Sequence, residues 1–227
     1  MLFRQLFDRE TSTYTYLIAD GGEAALVDPV LEQVERDLQL LTELGLRLRY
    51  CLETHIHADH VTGTGQLRER TGCLGVVPVG ATATCADRFV GDGEELPLGG
   101  LTIRAIATLG HTDSHMAYWV NGHLLTGDSL LIRGCGRTDF QSGDAGALYD
   151  AITQKLFTLP DETLVYPGHD YRGFTVSTIG EEKRWNPRLA HSSRGEFIAL
   201  MGALQLPDPA KIAMAVPANQ ECGRVAA

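Results

Sequence analysis

Apolar and polar residues along the chain follow patterns that predict alternating strands and helices. Strand-like alternation over residues 13–18 is followed by a Gly-Gly turn and a returning strand over 23–27. Between Leu31 and Leu41 the apolar residues recur on one helical face, and Gly45 is predicted to end that helix. A further strand over 47–53 leads directly into a histidine-rich segment.

The same alternation continues along the rest of the chain. Further strands are predicted at 74–79, 101–107, 116–120, 124–127 and 163–166, and helices at 65–70 and 145–156. This order favours an α/β or mixed-layer fold in a single domain over residues 1–227. The last stretch, Leu206 to Ala227, is rich in Pro and Ala and is predicted to pack as a short irregular tail.

Composition narrows the function classes. The formal net charge of -10 argues against nucleic-acid and anionic-membrane partners, because both require clustered Lys and Arg. The N-terminus has no targeting pattern, so a cytoplasmic protein is expected, or a mitochondrial-matrix protein if a presequence has been removed. Five cysteines without a CxxC pair predict reduced thiols. The oligomeric state is not fixed, and a homodimer is one option.

The strongest chemical signal is a dense group of metal-ligand side chains just after a predicted strand. His55, His57, Asp59 and His60 lie within six residues. Imidazole and carboxylate together suit Fe, Zn or Mn rather than Mg or Ca. The alternative, a surface turn that is merely rich in histidine, accounts poorly for four such residues at this density.

Three more residues of the same types follow apolar, strand-like segments. These residues are His111, Asp128 and His169. In layered sheet folds, sites assemble at the ends of strands. With the first four residues, they form a seven-residue inventory for a metal site.

An HxHxDH motif followed by a separate His, an Asp and a last His resembles the metallo-β-lactamase superfamily. The match runs from about Thr54 to His169. The resemblance implies an αββα sandwich, in which two mixed β-sheets are flanked by helices and the metal site lies at one edge. The superfamily includes hydrolases, nucleases and oxygenases, so the fold does not determine the reaction.

Three further segments, 131–141, 167–174 and 186–188, resemble the persulfide dioxygenases, also called sulfur dioxygenases. That resemblance implies one Fe(II) per chain, bound by His55, His111 and Asp128. Two imidazoles and one carboxylate on one face are typical of non-haem iron oxygenases. The implied reaction oxidises glutathione persulfide with O₂ and water to sulfite and glutathione, a step of sulfide catabolism.

The remaining ligand-type residues leave the number of metal ions open. His57, Asp59, His60 and His169 match residues that complete two-metal sites in hydrolases of this fold. Ligand counting therefore does not separate one metal from two. The resemblance implies that these four side chains bind no metal here and instead hydrogen-bond the ligands.

The substrate end of the site is predicted from charge. Arg137, Tyr171 and Arg188 are similar in position to the residues that contact glutathione in the family, and guanidinium groups hold carboxylates strongly. A structural salt bridge is the alternative for each arginine. Arg133 and Arg172 are predicted to be solvated surface charges.

Two other residues are given no role in the chemistry. His115 has no motif context, and Cys135 is interpreted as a small residue that fills a tight turn rather than as a reactive thiol.

Two other functions remain as alternatives. A glyoxalase II-type hydroxyacylglutathione hydrolase with a two-metal site shares the motif and the Gly-Cys-Gly-Arg loop. That enzyme type normally adds a longer helical C-terminal domain, whereas fewer than 60 residues follow His169 here. A non-catalytic metal module would be closed by four ligands, often thiolates, and no cysteine belongs to this ligand set.

Overall fold

The computed structural model describes residues 1–209 and 211–224, which form two six-stranded sheets packed face to face. The first sheet has its strands in chain order. They are β1 (Leu2–Asp8), β2 (Thr13–Asp20), β3 (Glu23–Val27), β4 (Arg47–Leu52), β5 (Leu74–Pro78) and β6 (Arg88–Val90). β1 to β3 pair antiparallel, whereas β3 to β6 pair parallel, so this sheet is mixed.

The second sheet has the order β12-β11-β10-β9-β8-β7. Its strands are β7 (Glu95–Leu98), β8 (Leu101–Ala107), β9 (Met116–Val120), β10 (His123–Gly127), β11 (Leu164–Pro167) and β12 (Ser177–Thr178). β10 and β11 pair parallel and the other pairs are antiparallel, so this sheet is also mixed.

Helices cover the outer faces of both sheets. They are α1 (Val34–Glu43), α2 (Thr64–Thr71), α3 (Ala145–Gln154), α4 (Ile179–Trp185), α5 (Arg194–Gly202) and α6 (Ile212–Gln220), with 3₁₀ turns at Leu31–Gln33 and Leu156–Thr158. Two local signals explain helix starts: Asp144 caps α3, and Ser193 forms a capping box with Glu196 at α5.

Three apolar layers hold these elements together. The central layer lies between the sheets and includes Ile18 and Leu52 from one sheet and Tyr118 from the other. A second layer joins the first sheet to α1 and α2, and a third joins the second sheet to α3 and α5. Each sheet therefore has both faces buried, and the expected αββα sandwich is confirmed.

The sequence pattern found most of the internal elements. The predicted strands 101–107 and 116–120 coincide with β8 and β9, and α1 ends just before Gly45, which adopts a left-handed φ of 62°. The strands β1, β6, β7 and β12 and the helices α4 and α5 were not predicted. The irregular C-terminal tail was wrong over Ile212–Gln220, where α6 forms; residue 210 and residues 225–227 lie outside the described part of the chain.

The expectation that all thiols are reduced was also wrong. Cys85 and Cys222 form a disulfide that joins residues 137 positions apart. Cys51, Cys73 and Cys135 are buried free thiols. Within the described residues, no helix is both long and apolar enough to cross a membrane.

Candidate metal centre

Four strand ends bring the predicted ligands to one edge of the sandwich. His55 follows β4, His111 lies in the turn between β8 and β9, and Asp128 comes directly after β10. His169 follows β11, which runs parallel to β10, so Asp128 and His169 emerge at the same edge. All seven predicted metal-site residues therefore converge on this edge.

His55, His111 and Asp128 form a compact set of donors. One ligand atom from each lies within 4.8 Å of the others. The Nε2 atom of His111 is 3.7 Å from Oδ2 of Asp128. A metal ion fits this donor set, because two imidazole nitrogens and one carboxylate oxygen converge on one point.

Hydrogen bonds to the far ring nitrogens fix the protonation of both histidines. His111 donates from Nδ1 to the carbonyl of Arg137 at 2.7 Å, so in the neutral ring Nε2 is the nitrogen that can bind a metal. Thr54 donates its hydroxyl to Asp28 at 2.9 Å, so its oxygen accepts from Nδ1 of His55 at 2.9 Å. Burial and the neighbouring histidines also hold the pKa of His55 well below its ordinary value, which keeps its ring neutral and able to bind a metal.

His169 lies between two carboxylates and is 2% exposed. Its Nδ1 donates to Oδ1 of Asp128 at 2.7 Å and its Nε2 to Oδ2 of Asp59 at 2.8 Å. Burial opposes charge on this ring, but the two carboxylates outweigh it and raise the pKa of His169 well above its ordinary value. Burial likewise opposes charge on Asp128, yet His169 holds its pKa at about 2.

A second group of potential ligands adjoins the first. His57, Asp59 and His60 also bring ligand atoms within 4.8 Å of one another. Among the described residues, Nδ1 of His57 and Nε2 of His60 are buried without a hydrogen-bond partner. The ring nitrogens on the other side are engaged: His57 contacts Asp28 at 3.0 Å, and His60 contacts Asp59 at 2.8 Å. The geometry thus keeps a two-metal arrangement open, as did the ligand inventory.

Two buried residues of the site were missed from the sequence. Asp28 accepts hydrogen bonds from the backbone and hydroxyl of Thr54 and from His57, and it adopts a φ of 50°. His115, which was given no role, is fully buried; its Nε2 accepts from the backbone N–H of Asp128 at 3.1 Å. The signal for Asp28 was its position in Val-Asp-Pro directly after a strand, where site residues collect.

A cavity of about 540 Å³ opens beside the metal ligands. It is lined by His55, His111, Asp128 and His169, by Arg137, Tyr171 and Arg188, and by residues 206–209. Tyr171 is 73% exposed and stacks on His169 with its ring centroid 6.0 Å away. The predicted substrate residues and metal ligands therefore share one cavity.

The arginines of this region differ in how many hydrogen bonds and ion pairs they make with other groups of the protein. Arg137 pairs with Asp139 at 2.7 Å and donates to the carbonyl of Pro207 at 2.7 Å. Arg188 donates from Nη1 to the carbonyl of Cys135 at 2.7 Å and contacts Sγ of the same residue at 3.6 Å. Among these cations, Arg188 has the more available guanidinium.

Arg133 is not the solvated charge that was expected. It pairs with Glu181 at 2.6 Å and with the buried Glu182. Arg172 is exposed, as expected, and also lines the cavity. Burial raises the pKa of the Cys135 thiol, which agrees with a packing role for this residue.

Comparison with known proteins agrees with this geometry. Residues 8–169 match the model of the metallo-β-lactamase superfamily. The chain is 50% identical to human mitochondrial persulfide dioxygenase ETHE1, over 98% of this chain and 89% of that protein. It superimposes on the crystal structure of ETHE1 from Myxococcus xanthus with a TM-score of 0.97 and 57% identity, covering 99% of this chain and 100% of that one. The similarity to a hydroxyacylglutathione hydrolase from Rhodospirillum rubrum is lower, 36% over 71% of this chain and 63% of that protein.

The chain therefore belongs to the metallo-β-lactamase superfamily. Within that superfamily it groups with the persulfide dioxygenases, which it matches along nearly its whole length.

Proposed function

We propose that this chain is a glutathione persulfide dioxygenase that holds one Fe(II) through His55, His111 and Asp128. The observation that carries the proposal is the pairing of this three-donor set with near full-length similarity to persulfide dioxygenases. The overall reaction consumes glutathione persulfide, O₂ and water, oxidises the outer sulfur to sulfite, and releases glutathione. Ferrous iron held by two imidazoles and one carboxylate supplies the one-electron chemistry that lets O₂ react with a persulfide.

The residues around the donors keep them ready to bind metal. The Arg137 carbonyl and the Thr54 hydroxyl each accept from Nδ1 of a ligand histidine, which fixes the orientation of its ring. His169 engages one oxygen of Asp128 and leaves Oδ2 facing His111. These contacts pre-organise the site, so little rearrangement is needed when the ion binds.

The cavity supplies binding and orientation for the substrate. Glutathione carries two carboxylates, and Arg188 presents a guanidinium beside the metal ligands. Tyr171 offers an exposed ring and hydroxyl next to His169. Holding the peptide there places its terminal sulfur close to the donors, which replaces a bimolecular encounter by a local one.

The hydrolase alternative has one specific observation in its favour. The buried, unpartnered ring nitrogens of His57 and His60 lie with Asp59 where a second ion would bind. In a two-metal hydrolase, His169 would also be a ligand. In the one-iron arrangement, the contacts of its two ring nitrogens with Asp128 and Asp59 are instead hydrogen bonds.

The deciding experiment measures metal content and oxygen uptake together. Protein purified without oxygen should contain about one iron per chain, and glutathione persulfide should start oxygen uptake with sulfite as product. The parallel assay offers an acylglutathione thioester under the same conditions. Two tightly bound zinc ions, thioester hydrolysis and no oxygen uptake would establish the hydrolase instead.

A further inference from the structure

The metal loop, defined as residues 53–63, is held in place by hydrogen bonds from a segment distant in the sequence. Asn219, in α6, is 4% exposed and directs its side-chain amide into this loop. Its Oδ1 accepts from the backbone N–H of Thr62 at 2.8 Å. Its Nδ2 donates to the carbonyls of His57 and His60, at 2.9 and 2.8 Å. Three hydrogen bonds from one side chain thus set the path of the backbone that carries the metal-site residues.

Close packing reinforces this contact just after α6. The N–H of Gly65 donates to the carbonyl of Cys222 at 3.0 Å. A Cβ at Gly65 would lie 2.3 Å from that carbonyl oxygen, and a Cβ at Gly223 would lie 2.1 Å from the carbonyl oxygen of Thr62. Backbone packs against backbone at both positions, so residues 219–223 fit against the metal loop and the start of α2 only at this distance.

The apolar contacts between α6 and the rest of the protein are made by small side chains. Ala215 and Ala218 pack with Val61 in one cluster, and Val216 packs against a second cluster that contains Ile56 and Val77. Residues 203–209, which precede it, form no helix or strand. Alanine and valine side chains bury less apolar area than larger ones, so a covalent link adds to what packing contributes here.

The Cys85–Cys222 disulfide adds a covalent attachment. It joins the end of this segment to the loop between β5 and β6, where the backbone N–H of Thr84 also donates to the carbonyl of Gln220 at 3.0 Å. Cys222 is buried, whereas Cys85 is partly exposed. The covalent link lies three residues after Asn219, so it restrains the side chain that holds the metal loop.

We infer that Asn219 is a positioning residue for the metal loop and that the Cys85–Cys222 disulfide keeps it in place, so that reduction of this disulfide loosens the bound metal. Reduction takes two electrons and two protons; two monothiols such as glutathione supply them and leave as one disulfide. The two protein thiols then no longer restrain residues 219–223. The inference requires only that the site binds a metal, and it does not depend on the proposed dioxygenase reaction.

The test measures the rate at which Fe(II)-loaded protein releases its metal to a ferrous chelator under anaerobic conditions. Asn219→Ala, with its disulfide intact, should release iron roughly 10–100-fold faster than the unmodified chain, the usual cost of losing a contact that orients a metal site. Asn219→Gln keeps the neutral amide with its donors and acceptor but moves it one methylene further from the helix, so it should fall between the two. Met214→Ala changes an exposed residue of the same helix and should release iron like the unmodified chain.

Redox dependence is tested with a phosphine reductant, which reduces the disulfide and is itself oxidised to the phosphine oxide with oxygen from water. Reduction should speed iron release several-fold in the unmodified chain. Cys85→Ser should release iron at that faster rate before reductant is added and show no further change afterwards. Amide hydrogen exchange of residues 57–62 should accelerate in the same samples.

Each opposite result overturns a named part of the inference. Iron release that is unchanged by reduction and by Cys85→Ser would overturn the role of the disulfide. Asn219→Ala with iron release and loop exchange like the unmodified chain would overturn the role of Asn219. A variant that unfolds is recognised by its melting temperature, and Asn219→Gln then supplies the test. Failure of the proposed reaction would appear separately, as absent oxygen uptake by the iron-loaded unmodified chain.

Discussion

Replacement of His169 by alanine separates the one-iron arrangement from a two-metal site. In this structure His169 donates to Asp128 at 2.7 Å and to Asp59 at 2.8 Å, so its loss removes two hydrogen bonds and the positive charge between two carboxylates. Asp128, whose pKa His169 holds at about 2, then faces Asp59 without that charge between them. The ligand atoms themselves remain in the chain.

Loss of such an orienting contact typically costs about 10–100-fold in metal affinity or activity, or about 1.4–2.8 kcal/mol. His169→Ala should therefore retain close to one iron per chain when loaded at saturating Fe(II), with reduced but measurable oxygen uptake. His55→Ala removes a ligand and should show neither iron nor turnover. His191→Ala alters an exposed histidine and should match the unmodified chain in both measurements.

The assay pairs metal analysis of desalted, anaerobically loaded protein with oxygen consumption on adding glutathione persulfide. The reasoning is refuted if His169→Ala loses iron and turnover to the same degree as His55→Ala. In that case His169 is itself a ligand, and the single-iron arrangement is wrong.

Four further perturbations test other parts of the structure. Arg188→Ala should keep its iron and raise the KM for glutathione persulfide roughly 10–100-fold, because a charge-assisted hydrogen bond contributes about 1.5–3 kcal/mol; an unchanged KM would assign this arginine to the scaffold. Arg137→Ala should also keep iron and raise KM, but by changing the shape of the cavity wall, because its guanidinium is hydrogen-bonded to the Pro207 carbonyl. Equal KM values for this variant and the unmodified chain would contradict that. Gly136→Ala should weaken iron binding, measured by chelator competition, because the added Cβ would lie 2.7 Å from Nδ1 of His111. Burial raises the pKa of Asp37 to about 6, so the folded state binds this proton more tightly than the unfolded chain does. The protonated side chain therefore contributes to stability below pH 4, and that contribution is lost as the pH rises through 6. Asp37→Asn should therefore raise the free energy of unfolding by about 2–3 kcal/mol at pH 8 and by little near pH 4, measured by urea denaturation; equal gains at both pH values would contradict this explanation.

Local sequence patterns predicted the strands and helices in which burial determines the order of apolar and polar residues. β8 and β9 were predicted with their observed bounds because their apolar residues face layers on both sides of the second sheet. The short strands β6 and β12 have three and two residues, too few for a periodic signal. α6 was missed because Pro217 lies inside it, and proline normally argues against a helix interior.

The metal site was also predictable in part from local sequence patterns. The seven ligand-type residues follow strands, and the parallel pairing of β10 with β11 brings Asp128 and His169 to one edge. Which ring nitrogen is free depends on contacts across the fold, such as that between His111 and the carbonyl of Arg137. No spacing in the sequence reports such contacts.

The residues that sequence reasoning missed share one property: they act on the backbone or on a ligand's far atom rather than on the metal. Asp28 holds the start of the metal loop through Thr54, and Asn219 holds its end through Thr62. Asp28 comes from the first third of the chain and Asn219 from its last ten residues. A motif shows which atoms can bind an ion, but the rigidity of the loop that presents them is set by side chains far away in sequence. Because metal affinity depends on that rigidity as well as on the ligands, chains with the same ligand motif can differ in how firmly they hold their metal.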